Sequence, residues 1–244
     1  MSELLKVQNL SKADILKDIS FEIKEGEMVA VMGPSGSGKS TLLYNVSGMD
    51  NPDTGEVMLN DTMVTGLGED EKAELRLKRM GFVFQQMNVL DNLNITDNIV
   101  LPAVHADKKQ KKEYYDRARI LMEGFHIDDL AERRVNEVSG GQLQRACICR
   151  SMMLEPEIIF ADEPTGALNQ NAATEVIEAF MKINSEGTTI LMVTHDSRIA
   201  AMCERILYLL DGRIKGELKL GKNVRSDSRD REQKVIRWLT EMGW

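Results

Sequence analysis

The 244-residue sequence predicts an α/β protein built on a central, mostly parallel sheet. Three observations lead there. Val29-Ala30-Val31-Met32, Gly81-Phe82-Val83-Phe84, Ile158-Ile159-Phe160-Ala161 and Thr189-Ile190-Leu191-Met192-Val193 are short, nearly unbroken apolar runs, the pattern of strands covered on both faces. Helical patterns separate them: residues 174–183 space Val176, Ile177, Phe180, Met181 and Ile183 by three and four, with Gly187 just beyond as a stop. A glycine-rich loop follows the first of these strands and leads into a helix, and strands alternating with helices make an α/β core.

Taken in order, residues 19–23 (Ile-Ser-Phe-Glu-Ile) alternate apolar with polar and read as an edge strand. Residues 28–32 form the first buried strand, with a helix starting near Lys39. From about 88 to 155 the texture changes to Asn-rich turns, the run Lys108-Lys109-Gln110-Lys111-Lys112, and helical patterns without strong strand signals; this is expected to be an inserted helical subdomain, with the lysines on a solvated face. Residues 205–210 form a strand that turns at Asp211-Gly212 into Arg213-Ile214, a hairpin. Residues 1–220 thus make the main domain. The tail, 221–244, is polar until Val235, Trp238, Leu239 and Met242, which share one face of a short amphipathic helix.

Composition narrows the function classes. With 42% hydrophobic residues the chain can bury a proper core. Thirty-one Lys+Arg against 39 Asp+Glu give a net charge of −8, so no nucleic acid is expected as a partner, and a bound polyanion must be small and gripped locally. There is no run of about 18 apolar residues, and Met1-Ser2-Glu3-Leu4-Leu5-Lys6 does not read as a secretory signal, so the chain is expected to be soluble by itself and to stay where it is made. Cys147, Cys149 and Cys203 fit no disulfide framework or zinc spacing and suit a reducing compartment.

The chemistry starts at Gly33-Pro34-Ser35-Gly36-Ser37-Gly38-Lys39-Ser40-Thr41, which satisfies GxxxxGK[ST] between a strand and a helix. The glycines let successive N–H groups turn toward phosphate oxygens, the helix adds its positive end, Lys39 adds a point charge, and the Ser40 hydroxyl suits Mg²⁺. A second acidic site closes the apolar strand 158–161: Asp162 can hold Mg²⁺ through water and Glu163 can polarise an attacking water. His195 ends another apolar strand, and strand ends at one edge of a parallel sheet face one crevice, where His195 is placed to reach the γ-phosphate. His105 and His126 have no such context.

The segment Val138-Ser139-Gly140-Gly141-Gln142-Leu143-Gln144-Arg145 resembles the signature of the ATP-binding cassette ATPases. Ser139 reads as the cap of the helix that follows. With the loop at 33–41, Gln85 after Gly81-Phe82-Val83-Phe84, the acid pair 162/163 and His195, five motifs fall in that family's order over roughly residues 4–215. The resemblance implies a P-loop NTPase core with an N-terminal antiparallel β subdomain and an inserted α-helical subdomain, and ATP and Mg²⁺ as cofactors. It also implies a head-to-tail dimer in which Ser139, Gly140, Gly141 and Gln142 of one copy close on the ATP held by the other. Gln85 would contact Mg²⁺ and the attacking water and begin the loop that senses an integral membrane permease; Glu163 would be the general base, and His195 would steady the γ-phosphate. The chain would then sit at the cytoplasmic face of the membrane through that permease.

The finer likeness, carried by residues 82–90, by Asn98-Ile99-Val100-Leu101-Pro102 and by residues 161–168, is to the macrolide-export, lipoprotein-release and bacitracin-resistance type of cassette. These work with permeases that move or displace amphipathic peptides, lipids or lipoproteins by a mechanical stroke, so the resemblance implies export or displacement of an antimicrobial peptide, a lipid or a lipoprotein. A division-type or other non-transport membrane complex, and a regulatory cassette that only binds nucleotide, are the alternatives. Two positions depart from the family pattern: Ala13 stands where relatives carry an aromatic residue that stacks on adenine, and Asn169 replaces the usual Asp after Ala167-Leu168.

Overall fold

A computed structural model describes residues 2–223 and 228–244. In chain order the strands and helices are β1 (Glu3–Lys12), β2 (Leu16–Lys24), β3 (Met28–Met32), α1 (Lys39–Val46), β4 (Thr54–Leu59), β5 (Thr62–Met63), α2 (Glu69–Arg79), β6 (Met80–Phe84), α3 (Ile95–Ala106), α4 (Lys111–Gly124), α5 (Gly140–Ser151), β7 (Ile158–Asp162), α6 (Gln170–Ser185), β8 (Thr189–Val193), α7 (Ser197–Ala200), β9 (Arg205–Leu210), β10 (Arg213–Lys219) and α8 (Ser228–Glu241). The chain divides into two compact units, Met1–Ala73 with Gly187–Trp244, and Glu74–Glu186.

In the first unit an antiparallel sheet runs in the order β2-β1-β4-β5, with β2 at its edge as the alternation of residues 19–23 predicts. Strand β3 lies between β8 and β9 and is parallel to both; Val31 stands opposite Val193 on one side and Leu207 on the other. All five residues of β3 and of β8 are buried, the physical reason for their nearly unbroken apolar sequence. Strands β9 and β10 form the expected hairpin, and Asp211 and Gly212 both take left-handed backbone angles, as a two-residue primed turn requires. Only glycine fits at 212, since a Cβ there would stand 2.2 Å from the Ile15 carbonyl oxygen.

The tail helix α8 buries Val235 and Leu239, and Trp238 meets Tyr208 edge-on at 6.1 Å between ring centres. Its anchor is Arg231, whose buried guanidinium donates to the carbonyl oxygens of Ala201 (2.8 Å), Cys203 (2.7 Å), Leu220 (3.0 Å) and Gly221 (3.0 Å). Residues 224–227 of the expected tail lie outside the described residues.

In the second unit β6 and β7 are parallel, with Phe84 opposite Asp162. Arg79 and Glu157 pair through two contacts of 2.5 and 2.9 Å, and the Glu157 N–H donates to the Arg79 carbonyl, fixing where the two strands begin. Helices α3, α4 and α5 occupy the stretch read as helical. Lys108, Lys109, Lys111 and Lys112 are exposed. The three cysteines are all buried.

Candidate functional site

In the first unit, buried β3 delivers the chain into the loop at Gly33. A Cβ on Gly33 would stand 2.1 Å from the Leu209 carbonyl oxygen, so the loop lies against β9 as only glycine permits. Gly36 and Gly38 have φ of 79° and 100°, and Gly38 caps α1. The first turn of α1 has no acidic residue and its cap makes no side-chain hydrogen bond, which leaves the positive end of the helix to an anion. The Lys39 Nζ donates to the carbonyl oxygens of Gly33 (2.8 Å) and Pro34 (2.9 Å), holding its ammonium across the loop. The Ser37 hydroxyl is buried and has no hydrogen-bond partner among the described residues. Such a polar atom fits a loop that wraps an oxygen-rich ligand.

His195 belongs to the same unit. The Thr194 N–H donates to the Val31 carbonyl (3.2 Å), so buried β8 ends level with β3, and exposed His195 follows. Asp196 caps α7 and takes the Arg198 guanidinium in a fork of 3.1 and 2.6 Å. Burial by itself would raise the Asp196 pKa, but the bonds from Arg198 outweigh it and hold the carboxyl below its usual range.

In the second unit the register of β6 against β7 puts Gln85 beside the acid pair. Asp162, 8% exposed, is the last residue of β7. Glu163 follows in the left-handed region, with φ of 47°, a conformation that costs a non-glycine residue energy and clusters at functional sites. The chain then turns back, with the Gly166 N–H donating to the Glu163 carbonyl (3.0 Å), and a Cβ on Gly166 would come within 3.0 Å of the Gln85 Nε2. Gln85, Asp162 and Glu163 are thus gathered around one tight turn.

The signature segment opens α5 as its sequence predicts. Ser139 is the N-cap: its Oγ accepts from the Gln142 N–H (3.3 Å), and the Gln142 side chain accepts from the Ser139 N–H (2.8 Å), a reciprocal capping box. The glycines also pack. A Cβ on Gly141 would lie 2.7 Å from the Ala172 Cβ, and one on Gly140 would lie 3.3 Å from a Leu168 methyl. Asn169 caps α6, its Oδ1 accepting from the Ala172 N–H (3.0 Å). That cap was open to sequence reasoning, because Asn directly before a helical pattern is an N-terminal signal. The close approaches of Gly141 to Ala172 and of Gly166 to Gln85 are tertiary and left no trace in spacing.

Elsewhere, Ala13 has a left-handed backbone (φ 45°), and its N–H donates to the Asp53 carboxylate at 2.5 Å. His105 and His126 are exposed. In the second unit Asp162 and Gln85 bring a carboxylate and an amide oxygen to one turn, and in the first unit Ser40 carries a hydroxyl; each is a hard oxygen donor of the kind that fits Mg²⁺ and does not suit a soft transition metal.

The profile of the ABC transporter family matches residues 16–166. Among curated proteins the chain is 40% identical over 222 residues to the lipoprotein-releasing system ATP-binding protein LolD of Aquifex aeolicus, covering 89% of this chain and 99% of that one. It is 39% identical to the bacitracin export ATP-binding protein BceA of Halalkalibacterium halodurans, covering 88% and 85% respectively. Against the macrolide export ATP-binding/permease protein MacB of Campylobacter jejuni it is 41% identical over 88% of its own length but spans only 33% of that longer protein. Among solved structures, the dimeric post-hydrolysis state of the ATP-binding cassette MJ0796 bound to ADP and Pi superposes with a TM-score of 0.79 at 34% identity, covering 90% of this chain and all of that one.

Proposed function

The chain belongs to the ABC transporter family as one of its ATPase cassettes, and from that premise we propose that it hydrolyses Mg–ATP across a head-to-tail dimer to drive a membrane exporter. The grouping of Gln85, Asp162 and Glu163 around one turn carries this reading. A water near that turn has a carboxylate to take its proton and an amide to orient it. The loop 33–41 binds the β- and γ-phosphates through its N–H groups and Lys39, and His195 steadies the γ-phosphate. Ser40, Asp162 and Gln85 would hold Mg²⁺, which would neutralise charge on the phosphate oxygens. As the water oxygen bonds to the γ-phosphorus and the bond to the ADP oxygen breaks, Glu163 accepts the water proton. Ser139, Gly140, Gly141 and Gln142 of one chain close on the nucleotide held by the other, where the Gly140 and Gly141 N–H groups, which the capping box does not use, meet phosphate oxygen.

The partner is an integral membrane permease, and the chain works from the cytoplasmic face. The proteins it is similar to are named for lipoprotein release, bacitracin export and macrolide export, and the first two names favour an antimicrobial peptide, a lipid or a lipoprotein as cargo. The decisive variant is Glu163→Gln, which keeps the shape and removes the base. Its ATP turnover should fall about a hundredfold or more while light scattering shows an ATP-dependent dimer accumulating. Turnover equal to that of the unchanged chain would overturn the assignment.

A further inference from the structure

We propose that Arg150, assisted by Gln144, is a positioning residue for Gln85. It ties the loop that begins at Gln85 to α5, so that this loop and the Ser139 end of the helix move as one body. The inference rests on the role given above to Gln85.

The observation is where the backbone carbonyls of the loop, and of Phe84 at the end of β6 just before it, find their donors. An exposed loop usually leaves its carbonyls to water. Here the Phe84 carbonyl accepts from the Gln144 Nε2 (3.1 Å), the Met87 carbonyl from the Arg150 Nη2 (2.7 Å) and the Asn88 carbonyl from the Arg150 Nη1 (2.9 Å). The Cys147 Sγ lies 3.5 Å from the same Met87 oxygen. All three side chains lie along α5. Asn88 itself has a left-handed backbone, φ 47°, so the chain reverses where the guanidinium grips it. From the other side, Asn98 of α3 accepts from the Leu90 N–H (2.8 Å) and donates to the Leu90 carbonyl (3.1 Å).

Arg150 is the centre of this arrangement, because its two nitrogens hold consecutive carbonyls. A planar fork does this and a lysine ammonium does not, since one point charge on a flexible stem cannot hold two oxygens in fixed geometry. Among the described residues no carboxylate pairs with Arg150, so its guanidinium is committed to the backbone of the loop. The other end of α5 is fixed by the Ser139 capping box. Twelve helical residues, a rod of about 18 Å, therefore join the segment that closes on a second chain's nucleotide to the segment that orients the water in this one.

The test is steady-state ATP hydrolysis by the full chain at saturating Mg²⁺. Arg150→Ala should lower kcat about tenfold with the KM for ATP within about twofold, because nucleotide contacts stay in place and only the water-orienting group is displaced. Arg150→Lys should restore less than half of the loss. In a double-mutant cycle, Arg150→Ala should slow Gln85→Ala no further, because the two act through one group. An unchanged kcat in Arg150→Ala overturns the inference. So does a double variant in which the two losses multiply, and that result leaves the Gln85 assignment standing if Gln85→Ala alone is slow. A Gln85→Ala chain with full kcat overturns both. Should Arg150→Ala fail to fold, hydrogen exchange on Arg150→Lys decides: amides 86–90 should exchange faster while those of β7 keep their protection, and unchanged exchange at 86–90 overturns the tie.

Discussion

Two glycines are required for different reasons, one by a neighbouring atom and one by its backbone angle. At Gly141 the neighbouring Ala172 Cβ leaves 2.7 Å for any added methyl, and the neighbour is fixed near the start of a helix. Gly141→Ala should therefore destabilise the chain by about 1–3 kcal/mol in urea unfolding, besides any loss of turnover. A midpoint unchanged from the parent would show that α5 and α6 can part at no cost. Gly36 differs: its φ of 79° demands glycine, yet a Cβ there would meet nothing within 4 Å, so Gly36→Ala should act through backbone strain alone. The sequence showed that glycines stand at both positions and tied both to phosphate binding. It did not show that Gly141 also serves helix packing, because that fact depends on Ala172, far along the chain. The two-nitrogen grip of Arg150 on Met87 and Asn88 is hidden for the same reason, since its partners are backbone atoms and any residue would present them.

Among elements, those with a regular apolar pattern were legible, whether buried on both faces or alternating like β2, and those whose register is interrupted were not. Strands β3, β7 and β8 bury every residue and read as nearly unbroken apolar runs, broken only by Asp162 at the end of β7 and Thr189 at the start of β8. Strand β1 pairs with both β2 and β4 but shifts register along the way, and Asn9 within it is left-handed, so its alternation is broken and no period-two signal survives. Helix α8 shows the converse case. Its apolar stripe was visible, but nothing in the sequence sets Arg231 apart from the other charged residues of the tail. Arg231→Met should cost about 3 kcal/mol or more in urea unfolding, since five carbonyls, that of Lys222 at 3.4 Å included, lose their donor; a loss under about 0.5 kcal/mol would mean that α8 is held by Val235, Trp238 and Leu239 alone. Between α3 and α4, the Tyr115 hydroxyl donates to the Asp97 carboxylate, and this bond, with burial behind it, pushes the Tyr115 pKa from 10.0 up to about 12. The folded chain favours the protonated phenol, so the contribution is whole below pH 10 and fades as pH rises through about 12. Tyr115→Phe should accordingly be less stable than the parent by roughly 1 kcal/mol at neutral pH, and the gap should close in unfolding measured at the alkaline end.

For the whole molecule, nucleotide binding and folding are linked. A substrate that binds only the folded chain stabilises it by about 2.7 kcal/mol at a hundred times its Kd, so ATP should raise the melting temperature by several degrees. Lys39→Ala, which removes the ammonium laid across Gly33 and Pro34, should abolish that rise while melting near the parent in buffer alone. A full ATP-induced rise in that variant would take Lys39 out of the binding site. The buried cysteines have a practical consequence of another kind. Cys147, Cys149 and Cys203 are the only thiols in the chain, all are buried, and burial raises the pKa of each, that of Cys203 to about 12. The native protein should thus be silent to maleimide reagents without any prior mutagenesis. A Ser139→Cys substitution would then carry the one reactive handle on the surface, and a fluorophore attached there would report in real time whether a second copy has arrived over it.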